Sequence, residues 1–80
     1  MNGMQEFLRF YILKAEEDPE EMKRAIRQMM STTSSGMILQ LLNEMTKMKD
    51  ECVKKHITKG YLVLMAEMTE LLATRLATLH

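Results

Sequence analysis

The chain has no tryptophan, one proline and one cysteine. A lone Cys52 cannot build a disulfide framework, which excludes the small disulfide-rich secreted scaffolds. A single proline leaves long stretches with nothing to interrupt a helix. An excess of one charge is also missing, since eleven basic and eleven acidic residues cancel. Nucleic-acid binders carry a basic surplus, so this chain would need a strongly segregated patch to be one. Long apolar runs are absent too. The longest, Tyr61 to Ala66, is far shorter than the roughly 20 residues that cross a bilayer. Phe7 to Leu13 contains Arg9 and follows no basic segment, so it does not read as a signal peptide. A soluble, cytoplasmic protein is the expectation. No internal repeat or low-complexity tail is visible.

What is present is apolar and flexible. Hydrophobic residues make up 46% of the 80, with ten methionines and only 5% aromatics. Such a composition is globular and predicts a single helical domain over 1–80 with a thin, aliphatic and sulfur-rich core. Methionine fills irregular gaps and also suits adaptable binding surfaces.

Periodicity predicts four helices, near 3–16, 19–30, 35–59 and 61–79. In the first, Phe7, Tyr11 and Lys14 form one row and Leu8, Ile12 and Ala15 the next, with Phe10 and Leu13 widening the apolar surface. The second has a specific start. Asp18 suits the N-cap, Pro19 the first turn, and Glu20 and Glu21 the positive end of the dipole. In STTSSG, Ser34 or Ser35 can cap the third helix. That helix carries Ile38, Leu41, Met45, Met48 and Cys52 at 3-4-3-4 spacing. Its lysine-rich end runs into Gly60, read here as a C′ glycine. The last helix places Tyr61, Met65, Met68, Leu72, Leu76 and Leu79 on one face. The fold class expected is all-α, a small four-helix bundle-like domain with short connections. The alternative is a winged helix with a hairpin at 51–65, read from ECVKKHI and YLVLM on either side of TKG.

Chemistry-bearing groups are sparse. The hydroxyls of 31–35 follow no strand and contain no GxxxxGK[ST], which excludes a nucleotide loop. A helix N-terminus there could still meet phosphate, with Ser34, Ser35, Lys47, Lys54 and Lys55 as candidate phosphate or DNA contacts. Cys52 and His56, at i,i+4, could give two zinc ligands, but a buried thiol beside an exposed histidine is the plainer reading. Ser31 to Ser35 have no His or Lys close in sequence, and no catalytic residue, metal, cofactor, membrane role or small-molecule substrate is expected. The function expected is a non-enzymatic protein–protein interaction module: a small regulator, adaptor or inhibitor. It would self-associate, most simply as a homodimer, or dock on a larger protein. Phe7, Phe10, Tyr11, Met65, Met68 and Leu72 are the candidate partner-binding residues. The alternative is a small winged-helix or helix-turn-helix DNA-binding regulator.

Overall fold

The computed structural model describes residues 3–78. They form five helices, α1 (Gly3–Glu17), α2 (Pro19–Met30), α3 (Ser35–Lys47), α4 (Lys49–Lys54) and α5 (Thr58–Ala77), with no strand among the described residues. The all-α class holds, and the hairpin at 51–65 does not form. Residues 49–54 and 58–77 are helical instead. The apolar seam explains why. Ile38, Leu41, Met45, Met48 and Cys52 are all buried, and a strand starting at Glu51 would turn its end out of the core.

Local chemistry sets the helix starts. The Asp18 carboxylate accepts the Glu21 N–H at 3.2 Å, with Pro19 in the first turn. The Ser34 hydroxyl accepts the Met37 N–H at 3.1 Å. The long third helix expected over 35–59 is two helices. At Met48 the N–H bonds Met45 O, a tightened last turn, and α4 restarts at once with the seam unbroken.

The stop expected at Gly60 lies earlier. The Ile57 N–H bonds Cys52 O and the His56 N–H bonds Val53 O, the two bonds of a Schellman motif. The left-handed residue of that motif is His56, with φ 58°. Gly60 instead lies buried in the first turn of α5, against α1. A Cβ there would overlap the Ile12 carbonyl oxygen and crowd the Glu16 nitrogen. The glycine marks a close helix crossing, not a helix end.

α5 packs against all four other helices. Its inner row is Tyr61, Leu64 and Met68, meeting Leu8, Ile12 and Ala15 of α1, Ile26 and Met30 of α2, and the α3–α4 seam in one core. That buried row keeps Tyr61 and Met68 of the face expected for this helix but takes Leu64 in place of Met65: Met65 and Leu72 are half-buried and Leu76 is exposed. Leu79 lies outside the described residues. The Cα atoms span 41 × 27 × 17 Å. A thickness of 17 Å holds two helix layers at the usual 8–10 Å separation, so most helices have one side open.

Polar ties join the layers. Arg9 of α1 makes two bonds to the Glu51 carboxylate of α4, at 2.6 and 2.9 Å. Arg27 of α2 does the same with Glu67 of α5, at 2.8 and 3.0 Å. The Gly60 N–H donates to the Glu16 carboxylate, which supplies α5 with the cap its own sequence lacks.

Candidate functional site

The aromatic residues of α1 form a continuous band. Phe7 and Tyr11 flank the buried row on one side, their ring centroids 4.8 Å apart. Phe10 meets Tyr11 edge-on at 5.1 Å and is 54% exposed, with Lys14 Nζ 5.6 Å from its ring centre. Leu13, further round, is half exposed. The band therefore runs from the inner edge of α1 onto its outer face. The Phe7–Tyr11 pair is tilted and the Phe10–Tyr11 pair edge-to-face, both within the range at which aromatic rings attract one another.

Beside this band α1 and α2 leave a groove. Met4 and Phe7 form one wall, Met29 and Met30 the other, and Met37 and Leu41 of α3 close its end, around about 420 Å³. Among the described residues, Thr33 is the only polar one lining it. Tyr11, Ala25, Gln28 and Met29 prolong the same cleft along α1 and α2. The unbranched methionine walls can repack around different occupants.

A second groove, of about 610 Å³, lies between α3 and α5, with Leu39, Leu42 and Thr46 facing Met65 and Thr69. The expected partner residues are thus divided. Phe7, Phe10 and Tyr11 belong to the first region, and Met65 to the second, with Leu72 half-buried further along α5. Met68 is fully buried and is withdrawn as a contact residue, because its side chain belongs to the inner row of α5.

The hydroxyl-rich loop is bonded to its own backbone. Ser31 Oγ donates to Gln28 O, Thr33 Oγ1 donates to Met29 O, and Ser34 caps α3. Arg75 reaches across from α5, and its guanidinium donates to the carbonyls of Met30, Ser31 and Thr33 and to the Ser35 hydroxyl. The candidate phosphate contacts are also not gathered. Ser34 and Ser35 stand at the start of α3 and Lys47 at its end, roughly 18 Å away at 1.5 Å per residue. Lys47 pairs with Glu44 and Lys55 with Glu51, while Lys54 is exposed on α4. No basic residue precedes Lys47 on α3.

Cys52 is buried, and burial pushes its thiol pKa up, away from the thiolate that metal binding and nucleophilic attack require. His56 falls beyond the end of α4, on exposed backbone. No group of three or more His, Cys, Asp or Glu residues placed to hold a metal occurs among the described residues. No helix among them is long and apolar enough to cross a membrane.

The chain matches no family model, no curated protein and no solved structure. Sequence reasoning overlooked Met4, Met29 and Met37 as groove walls. Met37 could have been found, because it stands one residue off the buried seam of α3, in the turn that Ser34 caps.

Proposed function

We propose that this chain is a non-enzymatic protein-binding module that seats the apolar face of a partner protein's helix in the groove between α1 and α2. The observation that carries this reading is the continuity of the aromatic band with the methionine walls, Phe10 to Tyr11 to Phe7 to Met29 and Met37. A groove with apolar walls and few polar groups suits a helix that inserts residues at i, i+3 and i+4. Aromatic residues bury the most area per side chain and are enriched among binding hot spots. Methionine walls adapt to shape, which favours a regulator or adaptor over a rigid lock.

The test is capture from the native host with paired variants. Phe10→Glu and Met37→Glu alter residues that are 54% and 42% exposed, so both should keep the wild-type circular dichroism spectrum. A partner held by the wild type and lost by both variants supports the groove. A partner held equally by all three proteins would sink it.

A further inference from the structure

The methionines divide sharply by access. Met30, Met45, Met48 and Met68 are buried, at 2% exposure or less. Met4, Met22, Met29 and Met65 are half-buried, and Met37 is 42% exposed. Met1 lies outside the described residues. Of the accessible residues, Met4, Met29 and Met37 line one groove, that between α1 and α2. Met65 lines the groove between α3 and α5, and Met22 lines neither. The sulfur that solvent can reach is therefore concentrated where a partner helix would press against it.

A thioether reacts with peroxide without help from any neighbouring acid or base, so access sets the order of reaction. The sulfur lone pair attacks one peroxide oxygen. The S–O bond forms as the O–O bond breaks, and the departing oxygen leaves as water with both peroxide protons. Sulfur is oxidised by two electrons and the peroxide is reduced. The competing thiol is withdrawn, because Cys52 is buried at 1% exposure. The product is a polar sulfoxide in place of an apolar side chain. The groove is ill suited to it. Thr33 is the one polar side chain lining it among the described residues, and its hydroxyl already donates to Met29 O. An occupant that covers the new oxygen would bury an acceptor with no side-chain donor, which costs affinity.

We infer that the groove between α1 and α2 is a methionine-oxidation site, where hydrogen peroxide converts Met37, then Met4 and Met29, to sulfoxides and releases the partner helix. A methionine sulfoxide reductase restores the thioethers. The core sulfurs are shielded, so the surface changes while the fold stands. The switch rests on the groove's being a partner site, whereas the order of oxidation does not.

Peroxide titration of the full chain, followed by digestion and mass-spectrometric mapping, tests the site. Met37 sulfoxide should form first and Met4 and Met29 next, each at least about tenfold faster than Met45, Met48 and Met68, with the circular dichroism spectrum unchanged. Equal oxidation of all the methionines, or a spectrum lost as Met37 reacts, overturns the inference. The switch is read by capture from desalted native-host lysate. Chain oxidised and then freed of peroxide should hold roughly tenfold less partner than untreated chain, and the reductase with dithiothreitol should restore it. The triple variant Met4→Leu, Met29→Leu, Met37→Leu keeps volume and apolarity, so it should hold its partner before and after peroxide. Loss of capture by the treated triple variant would place the sensitivity outside the groove and overturn the switch. Undiminished capture by the oxidised wild type would overturn it as well. An untreated wild type that captures nothing, beside the expected oxidation map, removes the partner groove and the switch together but leaves the modification site standing.

Discussion

Two connections in this molecule invite comparison. The α2–α3 loop, residues 31–34, announces itself with hydroxyls and is followed by Gly36. The α4–α5 turn, residues 55–57, lies in a lysine-rich stretch and is followed by Gly60. Both glycines fall in the first turn of the next helix. Gly36 has nothing near it, whereas Gly60 touches the backbone of α1. The first connection is held by local side chains and by Arg75 from a distance. The second has no side-chain cap of its own, turns at a left-handed histidine, and is held by Glu16 and the close crossing. Similar punctuation therefore stands for opposite things. At 31–36 the sequence is a loop with its own bonds, and at 55–60 it is a turn that only the packing of α1 completes.

The comparison can be broken most severely at Gly60. Gly60→Ala should cost about 3 kcal/mol or more in chemical denaturation, because the new methyl forces α1 and α5 apart. That is a large share of the stability of so small a domain. A Gly60→Ala variant as stable as the wild type would show that the crossing is not tight. Arg75→Met attacks the other connection. It strips donors from the carbonyls of Met30, Ser31 and Thr33 and should cost about 2 kcal/mol, with faster amide exchange confined to the start of α3.

The brace beside the second connection is sensitive to acid. Hydrogen bonds from Arg9, then from Lys55, outweigh partial burial and hold the Glu51 carboxyl down at about 2 against an ordinary 4.5. A depressed folded-state pKa means that the contribution is complete above about 4.5 and is lost as pH falls towards 2. Solvent reaches the pair, so the loss should be only roughly 1–2 kcal/mol. Denaturation at a series of pH values should show it, and Arg9→Met should flatten that slope.

Two smaller changes sharpen the contrast in the stabilising direction. His56→Gly relieves a left-handed backbone at the Schellman position and should add about 1 kcal/mol. Gly36→Ala fills open space on a helix and should add about 0.5 kcal/mol. A glycine-to-alanine change would then have opposite signs at 36 and 60, which thermal melts of the two variants would reveal directly.

The reading of the sequence succeeded where the signal was local. Asp18 and Pro19 opened α2 as expected, Ser34 capped α3, and the row from Ile38 to Cys52 proved buried throughout. It failed where two elements far apart in the chain decide the outcome. The break at Met48 left no mark, since α4 resumes in phase with the same seam. Phe7, Phe10 and Tyr11 could be placed on α1 from spacing alone, but the methionines that make a groove beside them come from α2 and α3. Met68 looked equivalent to Met65, because both recur at helical spacing on a helix apolar over more than one row.

By itself, then, the sequence determined the all-helical class, the starts of α2 and α3, and the inner row of α3. Each follows from capping chemistry or from periodicity within one segment, which require no knowledge of a neighbour. The tertiary structure decided which apolar row of α5 faces inward, why Gly60 must lack a side chain, and how Arg75, Glu67 and Glu16 are used. Those depend on backbones separated by some forty residues coming within hydrogen-bond or van der Waals distance. No pattern along a single helix encodes that distance. Leu62 and Leu76 stay exposed on α5 as the remainder of the same choice, because two helix layers can cover only one side of it.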